Sequence, residues 1–193
     1  MLVVLNKKIL IGTVGYHLLQ NHSVGPILFE DLKKMKFSKK VEVEEMNWGP
    51  IAIVQYFQSL AVPFDRLIFL VAIERPDRKV GTIDVFKWKG GLPSETQIQA
   101  CVGDAATGVI SVENLLIIGE FFKIWPKELY LVDVEPGPEI AGEHLTLEVE
   151  ERVSDILDII NKITLNGNYL DQEMSILKGD SLFKSHNLSL IHI

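Results

Sequence analysis

The chain has 193 residues, 47% of them hydrophobic, a formal net charge of -7 and one cysteine. That length supports one well-buried domain and is short for two, and the acidic balance argues against a general nucleic-acid or anionic-membrane binder. The lone Cys101 excludes an intramolecular disulfide and a cysteine zinc cluster, fits a reducing cytoplasm, and reads as a small buried thiol.

Met1 to Leu5 is apolar but lacks the basic n-region and the length of a signal peptide. No apolar run reaches membrane-spanning length, so a soluble cytoplasmic protein is expected. Ile9 to Thr13 reads as a buried strand, and Val24-Gly25-Pro26 opens a helix with an apolar stripe of Ile27, Leu28 and Leu32. Between them the loop Val14 to Ser23 carries Tyr16, His17, Gln20, Asn21 and His22. In an α/β protein such a loop lies at the carboxyl ends of the strands, where ligand sites form. The lysines at 33, 34, 36, 39 and 40 suit the C-terminus of that helix, or an acidic partner.

Val41 to Met46 alternates apolar and acidic residues and reads as a short strand with one solvated face. Asn47-Trp48-Gly49-Pro50 turns into a second helix with Ile51, Val54, Phe57 and Leu60 on its buried side; Trp48 packs at its start or contacts a substrate. Arg66 to Ile73 is the most apolar strand and belongs at the centre of a sheet, ended by Glu74-Arg75-Pro76-Asp77. Gly81 to Trp88 alternates and reads as a strand near an edge.

Ser94, Glu95 and Gln97 suit the start of a short helix, whereas Gly103, Ala105, Ala106 and Gly108 suggest irregular backbone. Gly103 to Gly108 lacks the Lys-Ser/Thr pair of a phosphate loop. Ser111 is a candidate N-cap for a helix through Phe122, with Leu115, Leu116, Ile118 and Phe122 inside. Glu128 to Val134 is a further buried strand, closed by Glu135-Pro136-Gly137-Pro138. Thr146 is a candidate cap for one long helix through about Ile163, with Val149, Val153, Ile156, Leu157 and Ile160 on its inner face. Alternating strands and helices imply a three-layer α/β/α domain with a mainly parallel twisted sheet of about five strands and helices on both faces. That domain spans 1–163; 164–193 is an extension, with a turn at Asn166-Gly167-Asn168 and a strand, helix or docking segment from Leu182 to Ile193.

Several stretches carry a family resemblance: Val14-Gly15, Leu18-Leu19 and Val24-Gly25 around the first loop, the glycine-containing turn before Pro50, Lys79-Val80-Gly81-Thr82-Ile83, Val134-Glu135-Pro136-Gly137, and Leu145-Thr146-Leu147-Glu148-Val149. In this order they resemble the hydrogenase maturation proteases, over about Lys7 to Lys162. The resemblance implies a phosphorylase/hydrolase-like fold. It also implies a metal-dependent endopeptidase that trims the large-subunit precursor of a nickel-iron hydrogenase, or a related protein, once nickel is loaded. The nickel would be borne by the substrate, and neither nucleic acid nor membrane is implied as a partner.

The metal-contacting positions of that family are substituted. Its first-loop carboxylate falls on His22, its central-strand aspartate on Val71, and its histidine on or near Gly108. Removing one ligand cripples such a centre, so no catalytic residue is assigned. Two readings stay open: an altered endopeptidase, or a non-catalytic homologue acting as a binding or assembly factor. The first calls for a rebuilt metal site from His22, Glu74 and Asp104, with Tyr16, His17, Asn21 and Trp48 as substrate contacts. A third reading has the first loop holding an unrelated small molecule through Tyr16, His17 and His22. No nucleophile elbow accompanies His144, and the G-x-G-x-x-G dinucleotide fingerprint is absent.

Overall fold

A computed structural model describes residues 7–107, 111–166, 174–180 and 182. Along the chain run β1 (Ile9–Thr13), a 3-10 turn (Gln20–Ser23), α1 (Val24–Lys34), β2 (Val41–Glu45), α2 (Pro50–Ser59) and β3 (Arg66–Ala72). Then follow β4 (Ile83–Trp88), α3 (Glu95–Ala106), α4 (Val112–Phe121), β5 (Glu128–Val134), α5 (Leu147–Glu150), α6 (Val153–Leu165) and β6 (Ser175–Leu177). Among the described residues these strands form one six-stranded sheet in the order β2-β1-β3-β5-β4-β6. The pairs β1–β2, β1–β3 and β3–β5 are parallel; β4 runs antiparallel to β5, and β6 parallel to β4.

The pleat of β3 explains the layers. Leu67, Phe69 and Val71 join Ile53, Val54 and Phe57 of α2 and Leu115 and Leu116 of α4 in one core. Ile68 and Leu70 join Val24, Leu28 and Leu32 of α1 and Ile156 and Ile160 of α6 in the other. A strand buried on both faces must be apolar at every position, as RLIFLVA is after its first residue. Each such side chain contributes about 1.5–3 kcal/mol on full burial, so β3 holds the two helical layers together.

Arg66, only 2% exposed, secures the opposite end of the sheet. Its Nε and Nη2 donate to Glu128 Oε2 at 2.7 and 2.6 Å, and its Nη1 donates to the Ile163 carbonyl at 2.5 Å. The guanidinium therefore satisfies a carbonyl left over at the end of α6. Burial pushes the Glu128 pKa up, but the hydrogen bonds and charges of Lys7 and Arg66 outweigh it and leave the carboxyl lowered.

Four expectations need correction. α3 is a full helix that includes Gly103, Ala105 and Ala106. Ser94 and Gln97 close a reciprocal capping box at its start, alanine favours helix, and open space around Gly103 lets the turn pass at a cost of about 1 kcal/mol. The long helix after Thr146 is two helices, α5 and α6, separated by Glu151 and Arg152. Thr146 stands at the cap position without a capping bond, because its hydroxyl accepts from Asn21 instead. Ile51 and Phe122 are 42% and 43% exposed rather than inside, one in the first turn of α2 and the other just past the end of α4. Finally β6, a strand of three residues within 164–193, joins the sheet. Gly108, most of the turn at 166–168 and most of 182–193 lie outside the described residues.

Candidate functional site

From β1 the chain passes through α1 to β2 on one side; from β2 it crosses back through α2 to β3 on the other. β1 and β3 stay paired to Thr13 and Leu70, but the connections around them run in opposite directions, and such a switch point leaves a crevice. A cavity of about 280 Å³ opens there, lined by Gly15, Tyr16 and His22 from the first loop, Glu74 after β3, Glu113 at the start of α4, and Glu139 after β5.

Close packing shapes the floor. Gly15 has φ +151°, and a Cβ there would meet the His22 carbonyl at 2.9 Å. A Cβ on Gly25 would meet the Val14 carbonyl at 2.9 Å, so glycine lets α1 start directly against the end of β1. Leu18 and Gln20 also lie at positive φ, 66° and 45°, a region that costs residues with a Cβ about 1 kcal/mol or more. The Gln20 N–H donates to the Gly142 carbonyl at 3.0 Å and the Gly142 N–H to the Leu18 carbonyl at 2.9 Å, which holds this unusual backbone in place.

The expected site residues are placed as follows. His22 lines the cavity and its Nε2 donates to the Gly137 carbonyl at 3.0 Å; a carbonyl only accepts, so Nε2 carries the proton. Tyr16 is 43% exposed at the cavity wall. Glu74 reaches the same cavity because β3 ends at Ala72 and the chain turns. Asp104 does not join them: its carboxylate accepts from Asn114 Nδ2 at 3.0 Å and ties α3 to α4. Among the described residues, no group of three or more His, Cys, Asp or Glu side chains is arranged to hold a metal ion. The trio of His22, Glu74 and Asp104 is therefore not assembled. Val71 is fully buried in the α2–α4 core and offers no ligand.

Asn21 is buried, and its amide is engaged on both sides. Nδ2 donates to the Pro136 carbonyl at 2.9 Å and to Thr146 Oγ1 at 3.1 Å, while Oδ1 accepts from the Thr146 N–H at 2.8 Å. It positions the loop, with both amide hydrogens committed to the protein. Trp48 packs edge-on against Tyr56 at 5.4 Å, which is the packing role open to it from sequence. His17 does not line the cavity; its Nε2 lies 2.6 Å from Glu45 Oε1, and Asn47 donates to the same oxygen at 2.7 Å.

Two features went unnoticed in the sequence. Glu113 and Glu139 complete an acidic rim; α4 leads into a parallel strand and residue 139 follows one, so both had to fall at the carboxyl end. The other is an ion network beneath Glu74. Asp133, with no exposure, receives Arg75 Nε at 2.8 Å and Arg78 Nη2 at 3.2 Å. Glu135 Oε2 accepts from the Arg75 N–H and from Arg78 Nε, both at 2.9 Å. Arg78 also reaches Asp84 at 2.9 Å and the Ile73 carbonyl at 2.6 Å, so the loop from β3 to β4 is bound to the end of β5. Burial pushes the Asp133 carboxyl up to about 6, against the downward pull of Arg75 and Arg78.

No protein-family model and no curated protein matches the sequence. Solved structures do match. The hydrogenase maturating endopeptidase HybD from E. coli superposes with a TM-score of 0.60 at 23% identity, covering 83% of this chain and 94% of that one. The hydrogenase 2 maturation peptidase from a Thaumarchaeota archaeon gives 0.55 at 20% identity, over 81% and 97%. The NiFe hydrogenase maturation protease HybD from Thermococcus kodakarensis gives 0.54 at 19%, over 81% and 99%. The likeness is one of architecture, and the chain has the α/β fold of the hydrogenase maturation endopeptidases.

Proposed function

We propose that the protein is a hydrogenase maturation protease-like protein that receives the C-terminal segment of a nickel-iron hydrogenase large-subunit precursor, in the cytoplasm, at the switch-point cavity. The observation that carries this reading is the cavity itself: His22 lines it from the first loop, on the fold of endopeptidases named for that maturation. Nickel enters this scheme with the substrate. This chain brings one imidazole and an acidic rim to the mouth, and the Asn21 and Asp133 contacts hold both of the loops that carry them. No helix among the described residues is long and apolar enough to cross a membrane.

Buried Val71, at the place where the resemblance implies an aspartate, favours a second reading, a homologue that binds the precursor and does not cut it. One experiment separates the two. The protein is incubated with nickel-loaded large-subunit precursor, and the precursor's intact mass and its co-elution with the protein are followed. Loss of a C-terminal fragment identifies the endopeptidase, and a stable complex at full mass identifies the binding factor. Neither cleavage nor a complex overturns both readings.

A further inference from the structure

Among the described residues, β2 is the outermost strand on its side of the sheet. Its register with β1, together with the bonds from the Ile9 N–H to the Lys40 carbonyl and from the Met46 N–H to the Thr13 carbonyl, turns the backbone of the even-numbered residues inward. The N–H and C=O groups of Val43 and Glu45 therefore face outward, and among the described residues no backbone group outside the strand bonds to them. All five residues of β2 are half-buried, and among the described residues no further strand pairs with this edge.

The two faces beside that edge differ. Val41 and Val43 pack on the α1 side with Met35 and Phe37, leaving an apolar margin. Glu42 and Glu44 lie on the α2 side near Tyr56; burial raises the pKa of that phenol, and the charges of Glu44 and Glu42 raise it further. The strand ends at Glu45, whose carboxylate meets His17 and Asn47; His17 is next in sequence to Tyr16 of the cavity wall.

We propose that the free edge of β2 captures an extended peptide segment of a partner protein, one that alternates basic and apolar residues and adds as a seventh strand. The backbone groups of Val43 and Glu45 supply the ladder, as in other strand-addition complexes. On one face basic side chains of the peptide stand beside Glu44 and beside Glu42, whose Oε1 also lies 3.3 Å from Lys8 Nζ, and on the other apolar side chains extend the margin of Val41 and Val43. The capture is independent of whether any bond is cut at the cavity. It runs the peptide along a strand whose far end meets the first loop.

The test uses the full chain and the probe acetyl-Val-Lys-Val-Lys-Val-amide, with acetyl-Val-Glu-Val-Glu-Val-amide as control, by titration and amide hydrogen exchange. The lysine peptide binds, more weakly at high salt, and protects the Val43 and Glu45 amides. Val43→Pro removes the outward donor while sparing the inward ladder, a placement that edge strands tolerate. It lowers affinity about tenfold or more with unchanged circular dichroism, and Glu42→Lys with Glu44→Lys reverses the preference to the glutamate peptide. The proposal is overturned if both peptides bind equally, or if Val43→Pro leaves affinity unchanged. It is equally overturned if protection appears elsewhere, or if neither peptide binds and the charged edge serves only to prevent pairing. Self-association through β2 in place of peptide capture also overturns it.

Discussion

Asn21 and Thr146 form a reciprocal pair across 125 positions of sequence: the Thr146 N–H donates to Asn21 Oδ1 at 2.8 Å, and Asn21 Nδ2 donates to Thr146 Oγ1 at 3.1 Å. The same amide also reaches Pro136. One buried side chain thus joins the loop after β1 to both the turn after β5 and the start of α5. Asn21→Ala leaves at least two backbone groups unsatisfied and is expected to cost about 2–3 kcal/mol in urea unfolding. A loss below about 0.5 kcal/mol would show that water replaces the amide without penalty.

The ion network gives a pH dependence with a definite sign. The folded-state pKa of Asp133, about 6, lies above the ordinary aspartate value of 3.8, so the folded protein holds that proton more tightly than the unfolded chain. Its contribution to stability is full below the unfolded value and is lost as pH rises through about 6. Relative to Asp133→Asn, the wild type should therefore lose stability between those two pH values, measured by urea unfolding across the window. A rise over that interval would contradict the assignment of burial as the dominant influence.

At the other end of the sheet, Arg66→Met removes the buried one of the two cationic partners of Glu128, leaving Lys7, and uncovers the end of α6. Breaking one side of a buried pair costs about 3–5 kcal/mol. Arg66→Lys should recover only part of this, because a single ammonium cannot match a planar fork that serves a carboxylate and a carbonyl together. Equal unfolding midpoints for the lysine variant and the wild type would refute that geometry.

Burial pushes the Cys101 thiol up to about 11, with the Asp104 carboxylate adding to it. The thiolate is the reactive form, so iodoacetamide at neutral pH should leave the folded chain unlabelled and should label it in denaturant. Mass spectrometry before and after unfolding reads this directly. Prompt labelling of the folded chain would mean that α3 opens far more readily than its capping box implies.

Much of the fold was legible because burial writes a period into sequence. The unbroken apolar run of β3 and the alternation in β2 and β4 identify strands, and Pro50 and Ser111 mark helix starts. α3 was obscured because its glycine and alanines lack the apolar stripe that distinguishes a packed helix. β6 was obscured because three residues are too few to carry a period. The first loop was recognisable as a site because it leaves a buried strand. Pairings such as Asp104 with Asn114, or Asn21 with Thr146, follow from three-dimensional closure and leave no local mark. Thus the polar groups of the loop were visible while their allegiances were not.

The place of β3 in the sheet also bears on the order in which the chain is made. Its neighbours are β1, already synthesised, and β5, which begins at Glu128, 62 positions after Arg66. β4 cannot cover the vacant side in the meantime, because in the finished sheet it pairs with β5 and β6, both made later. During synthesis the most apolar strand of the protein therefore waits with one backbone edge open while α3 and α4 leave the ribosome. Such an edge is a template for pairing with other chains. The interval ends when β5 pairs with β3 on one side and β4 on the other.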